Sequence, residues 1–258
     1  MLDYYLRFRD GLEQAPYEAP PVRFADAIAG ELKALQSDED RAYWSKVAAL
    51  PKFTIPAGWA GDTAAERTSY RIEVSYADLE QKLRAVASEA QTSLKSVFFA
   101  AHLAVLSSLT DSREFHSGLT CHIRPAVEGA ERVYGMHLNM LPVAHRREAG
   151  SWRELVARTF AAESDLWPYR FFPMPVIQRE FSSQRRLLDV FFSYQDYSSV
   201  AAKADGTGIE GLDESVASGT TEFPLSVATG PGYLAVRSNT HTLDRAAADK
   251  LAAMLYGD

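Results

Sequence analysis

The 258 residues allow one large domain or two small ones. Hydrophobic residues make up 47% and charged residues 24%, a soluble globular composition that excludes disorder as the main state. Lys+Arg 27 against Asp+Glu 34 leaves a net charge of −7, so the basic surplus of a nucleic-acid binder is missing and no nucleic-acid partner is expected.

Read in chain order, residues 3 to 12 form a short helix, followed by an extended linker marked by Pro16, Pro20 and Pro21. A helix is expected over 24 to 35. Ser37, with Asp40 three residues on, caps another over about 38 to 49, which carries Tyr43, Trp44 and Val47. From Thr68 the period changes to two: Tyr70, Ile72 and Val74 alternate with Arg71, Glu73 and Ser75, the pattern of a half-buried strand. Two helices follow, 79 to 90 and 93 to 109. The second stacks Leu94, Val97, Phe98, Ala101 and Val105 and is apolar enough to be central.

Residues 114 to 123 are a strand with Leu119, Cys121 and Ile123 on one face and His116, Gly118, Thr120 and His122 on the other. A second strand covers about 136 to 145, and an amphipathic helix runs from Trp152 to Leu166. The Pro- and aromatic-rich stretch Trp167 to Pro175 breaks that helix and reads as a loop covering the core. Leu188 to Tyr194 is apolar on both faces, as a central strand is. Residues 200 to 220 read as a loop. Phe223 to Val227 and Tyr233 to Asn239 pair around Gly230-Pro231-Gly232, and a helix over 243 to 256 closes the chain. This order implies α/β architecture with helices on a mixed sheet.

Cys121 is the single cysteine, which excludes an internal disulfide and fits a reducing, cytoplasmic setting. The N-terminus carries charges where a signal peptide needs an apolar run. The most apolar stretch, Val97 to Leu106, falls far short of the roughly 20 residues of a membrane span, so no membrane partner is expected.

Gly206-Thr207-Gly208-Ile209-Glu210-Gly211 fits a dinucleotide-binding spacing, but no helical periodicity follows it, and a loop is the better reading. His116 and His122 lie six residues apart on one strand face, roughly 20 Å at about 3.3 Å per residue, and Cys121 points the other way. That geometry argues against a metal centre built from these three. His102 reads as a packed core histidine rather than a base. His137 and Asn139 alternate on one strand face; they either line a cavity or satisfy each other internally. Motifs for serine, cysteine or metallo-hydrolases are missing.

Several segments, in order, resemble the condensation domains of nonribosomal peptide synthetases. Arg41-Ala42-Tyr43-Trp44 resembles the family's helix ending in Tyr-Trp, and the helices Leu79 to Ala90 and Leu94 to Leu106 resemble its paired helices. Gly118-Leu119-Thr120-Cys121-His122-Ile123-Arg124 stands in the place of its Gly-Thr-Pro-Val-x-Gly-Arg strand. Tyr134-Gly135-Met136-His137-Leu138-Asn139-Met140-Leu141-Pro142 is similar to its Ile-Gly-x-Phe-Val-Asn-Thr-x-Pro motif. Leu187 to Tyr194 resembles Pro-Leu-Phe-Asp-Val-x-Phe, and Phe223 to Val227 resembles Phe-Asp-Leu-Ser.

The departures are informative. The family's catalytic His-His-x-x-x-Asp-Gly does not occur, and none of the six histidines stands next to another. The arginine five residues after the motif Asn is Ala144, and the His-Gln-Asp-x-Pro-Phe-Glu motif is degraded to Leu166-Trp167-Pro168-Tyr169-Arg170-Phe171-Phe172. The chain therefore resembles the C-terminal part of the domain, starting shortly after the catalytic motif.

The resemblance implies a chloramphenicol-acetyltransferase-like lobe, with residues 1–50 resembling the end of the N-terminal lobe and 51–258 forming the C-terminal lobe. It implies amide formation between thioesters carried on the 4'-phosphopantetheine of partner carrier domains, with no cofactor bound directly and no metal. Arg124 would brace the active site, as the family's arginine pairs with the motif Asp; the plain alternative is a solvated strand-end arginine. Asn139 would anchor tunnel-side backbone, and His122, His137, Tyr194 and Ser226 are tunnel-lining candidates. No catalytic residue is assigned, and the chain is expected to be inactive alone. The alternatives are a non-catalytic carrier-docking module completing another chain, or a free-standing acyltransferase. Residues 1–48 would pack partly on an N-terminal lobe, leaving Tyr4, Tyr5, Phe8 and Phe24 exposed or buried in self-association.

Overall fold

The computed structural model describes residues 2–14, 19–182, 186–195 and 223–256; the Gly-rich motif at 206–211 lies outside them. The described helices are α1 Leu2–Arg9, α2 Phe24–Leu35, α3 Asp38–Ala48, α4 Glu80–Glu89, α5 Leu94–Ser108, α6 Trp152–Leu166, α7 Met174–Phe181 and α8 Arg245–Tyr256. The strands are β1 Ser69–Ser75, β2 Glu114–His122, β3 Leu138–Arg146, β4 Val190–Ser193, β5 Leu225–Gly230 and β6 Tyr233–Asn239.

They form one mixed sheet in the order β1-β6-β5-β4-β2-β3. β4 is parallel to both its neighbours, β5 and β2, and the outer pairs are antiparallel. The apolar character of Val190 to Ser193 on both faces follows from this interior position. β5 and β6 are joined by Pro231-Gly232, where Gly232 takes φ +77°, a left-handed conformation that suits a tight hairpin. At Gly118 a side chain would meet Phe191 Cβ at 2.8 Å and Val190 O at 3.1 Å, so the β2–β4 approach requires glycine.

α5 is the central helix expected from its sequence. Phe99, Leu103 and Leu106 are buried, and the Phe99 ring lies 5.5 Å from that of Phe192 on β4. α8 packs on β1 and β6, and α6 packs on α5 and β3. Ser37 Oγ accepts from Asp40 N at 3.1 Å and starts α3, as the sequence indicates. α3 is not a loose appendage: Trp44 is fully buried and donates through Nε1 to Tyr169 O, and Tyr43 stacks on Tyr169 at 4.1 Å. Lys52 Nζ pairs with Asp189 at 2.8 Å, tying the segment after α3 to the start of β4.

Two sequence expectations need correction. The stretch after Trp167 is not loop throughout, since Met174–Phe181 is a helix. Pro173 and Pro175 stand at the start of that helix, where missing N–H groups cost nothing, rather than breaking it. Phe24 is not exposed: it is half-buried, edge-on to His137 at 5.0 Å and against Gly135, where a Cβ would sit 2.3 Å from its ring. Tyr4, Tyr5 and Phe8 on α1 are exposed.

Candidate functional site

β2 and β3 end and begin together. His122 pairs with Leu138, Cys121 pairs with Asn139, and Ile123 N donates to His137 O at 2.8 Å. Alternation then places Cys121 and Asn139 on one face and His122 and Leu138 on the other. Arg124 lies just past β2 and donates through Nη1 to the carbonyls of Ala130 and Val133, both at 2.7 Å. It thereby closes the loop that returns to β3. No carboxylate among the described residues forms an ion pair with it.

Asn139 satisfies both ends of its amide. Nδ2 donates to Arg170 O and Phe172 O at 2.9 Å each, and Oδ1 accepts from Met174 N at 3.3 Å. One side chain on β3 thus fixes the path from α6 to α7. Arg170 in that path is 8% exposed, with its guanidinium 4.3 Å from the Trp167 ring and 4.6 Å from the Phe171 ring. His122 is exposed and edge-on to Trp167 at 5.0 Å. Desolvation, then Arg170, Lys95 and Arg124, push its proton affinity below the ordinary value. Arg170 and Arg124 thus stand at this end of the sheet, while Lys95 is paired with the buried Glu163.

His137 is buried beneath Phe24, and neither ring nitrogen makes a hydrogen bond of normal geometry. It does not bond to Asn139, whose amide is occupied elsewhere. Tyr194 follows β4 and is half-buried at the same end of the sheet as His122, since β4 runs parallel to β2. Ser226 is elsewhere: it is buried opposite Phe191, at the level of Gly118 in mid-sheet. The structure therefore brings His122, Arg124, His137, Asn139 and Tyr194 to one end of the sheet and leaves Ser226 apart. The sequence reading places Trp167 in a loop covering the core and Arg170 in a degraded motif, and gives neither a role at the site.

That end is also apolar on its surface. Met136 is 71% exposed, Tyr134 61% and Leu138 58%, and Trp167 lies against His122, the β2 partner of Leu138. Exposed large apolar groups concentrated in one loop and strand start are characteristic of an interaction surface.

His102 and His145 do not form an acid–base site. His102 is buried, with Nε2 3.2 Å from Ser117 Oγ, and that hydroxyl lies 3.4 Å from Val190 O. His145 Nε2 is 2.9 Å from Ser107 Oγ, which donates to Leu103 O at 2.7 Å. A hydroxyl has one proton. Where it goes to a carbonyl, the imidazole N–H is the donor and the serine is not activated. Burial pushes His102 down to about 3 and His145 down to about 4. Burial likewise pushes the Cys121 thiol up to about 12, which leaves it unreactive. Among the described residues no group of three or more His, Cys, Asp and Glu is placed to hold a metal, and no helix is long and apolar enough to cross a membrane.

The family model for the condensation domain matches residues 3–244. The chain belongs to the condensation-domain family. It is similar to the AMB antimetabolite synthetase AmbE of Pseudomonas aeruginosa strain PAO1, 28% identical over 228 residues, which covers 88% of this chain and 10% of that protein. The first condensation domain of the CDA synthetase shares the fold with a TM-score of 0.73 at 19% identity, over 98% of this chain and 58% of that one. PapA2 acyl transferase shares it with a TM-score of 0.68 at 16% identity, over 99% of this chain and 58% of that one. The chain thus spans a tenth of the curated relative and 58% of each of these two solved structures. The mixed sheet flanked by helices is the lobe architecture expected from the sequence.

Proposed function

We propose that this chain is the C-terminal lobe of a nonribosomal peptide synthetase condensation domain and contributes to amide formation between acyl and aminoacyl thioesters tethered to carrier proteins. An N-terminal lobe supplies the His-His-x-x-x-Asp-Gly motif, and this lobe alone is inactive. The observation that carries the reading is the exposed apolar surface of Tyr134, Met136 and Leu138 beside His122 and Arg124. A second lobe would cover this surface and enclose the cationic end of the sheet.

In the reaction the acceptor amine attacks the donor thioester carbon. A C–N bond forms, the C–S bond breaks, the amine loses a proton and the leaving sulfur is protonated. Holding amine against carbonyl supplies much of the rate. The proton passes through the base of the other lobe; His102 and His145 here are held neutral against Ser117 and Ser107. Arg124 and Asn139 shape the wall: the first fixes the loop after β2 and the second the path into α7. The substrates arrive on 4'-phosphopantetheine arms, in the cytoplasm.

Sedimentation of this chain with an N-terminal lobe of the same synthetase carrying the His-His motif tests the reading. A one-to-one complex is expected, weakened at least tenfold by Met136→Asp or Leu138→Asp. Absence of any complex, or one indifferent to both substitutions, would overturn it. Self-association through α1 belongs to the same proposal, and Phe8→Asp should abolish it.

A further inference from the structure

β1 and β6 lie at the opposite edge of the sheet from β3, away from the surface described above. There a cleft of about 300 Å³ opens between α4, α5 and the end of α8. Val74 and Leu234 from the sheet, Val86 on α4, Ala101 on α5 and Met254 on α8 are among its lining residues. No charged side chain lines it. Its two tyrosine hydroxyls are engaged elsewhere: Tyr76 donates to Gly230 O at 2.9 Å and Tyr256 to Asp78 at 3.1 Å. At one rim stands Trp152, 61% exposed, with an apolar ring and a single N–H donor.

Water in such a cleft finds few polar partners, and a buried water needs two to four. A hydrocarbon group loses nothing there and leaves water behind. An apolar cavity of about 150 Å³ holds one benzene. Twice that volume holds roughly ten carbons, and the open rim lets a polar end remain in solvent.

We propose that this cleft binds one aliphatic chain of about ten carbons, with its polar head in solvent beside Trp152. The site takes hydrocarbon and makes no use of the cationic end of the sheet, so it stands or falls independently of the condensation reading.

Titration of the whole chain with 1-hexanol, 1-decanol and 1-hexadecanol, followed by NMR, tests this. Saturable one-to-one binding is expected, tightest at 1-decanol, with shifts of the Met254 methyl and the Trp152 indole N–H. Ala101→Trp should weaken 1-decanol binding at least tenfold by filling the cleft from α5, and Val86→Trp should do so from α4. The site is refuted by non-saturable binding, by affinity that climbs steadily to 1-hexadecanol, or by a folded tryptophan variant that binds as well as the parent. Unmoved Met254 and Trp152 signals in the parent chain refute it even if neither variant folds.

Discussion

Asn139 donates through its side-chain amide to the carbonyl of Arg170 at 2.9 Å, although the two residues are 31 positions apart and Asn139 lies on the edge strand of the sheet. The same amide reaches Phe172 O and Met174 N. Three backbone groups of the segment joining α6 to α7 therefore depend on one side chain. Each such bond contributes about 1 kcal/mol net, and more when a buried partner is left unpaired. Asn139→Ala should cost about 2–3 kcal/mol in urea unfolding. It should also raise amide exchange at residues 170–174 ahead of the rest. A loss below about 0.5 kcal/mol would show that the segment is held by its aromatic packing instead.

Stability should depend on pH through the buried imidazoles. His102 is held at about 3 and His145 at about 4, while their unfolded value is near 6.5. Below that value the unfolded chain takes up protons that the folded chain refuses. The contribution is thus complete above about pH 6.5 and is lost as pH falls toward 4 and then 3. Each imidazole adds a slope of up to about 1.4 kcal/mol per pH unit within this window. Denaturation midpoints measured from pH 8 to 4 should fall on the acid side, and His145→Gln should flatten the fall. A profile that is unchanged in the variant would mean that His145 does not contribute to acid sensitivity.

Gly118 sets how closely β2 and β4 approach. Adding one carbon places it 2.8 Å from Phe191 Cβ and 2.9 Å from a Leu188 methyl, with Val190 O at 3.1 Å. Backbone is among the atoms struck, so rotamer changes cannot fully absorb the clash. Gly118→Ala should cost about 1–3 kcal/mol, the usual range for an overpacked interior. A variant as stable as the parent would show that the two parallel strands can separate freely.

The sequence made much of this fold legible, and the reasons are local. Alternation marked β1, the turn at Gly230-Pro231-Gly232 marked the β5–β6 pair, and apolar residues three and four apart marked α5, which is buried along most of its length. Ser37 announced α3 through a bond confined to four residues. α7 was not legible: Pro173 and Pro175 look like breakers until they are seen at a helix start. Strand order was not legible either, since placing β4 between β5 and β2 depends on contacts across the whole chain. The site showed the same division. The family resemblance pointed to Arg124 and Asn139. The bonds that give each its task run to backbone carbonyls, which carry no sequence signature. For the same reason Arg170, a buried cation between two rings, was hidden in a motif that reads as decayed.

The most direct test of the central claim is a turnover assay with carrier proteins loaded with donor and acceptor aminoacyl groups, following the dipeptidyl thioester by mass spectrometry. The chain alone should yield no product above the carrier background. Adding the lobe that bears the paired histidines should restore formation, and changing the second histidine of that lobe to alanine should remove it again. Sustained product from this chain by itself would contradict the account.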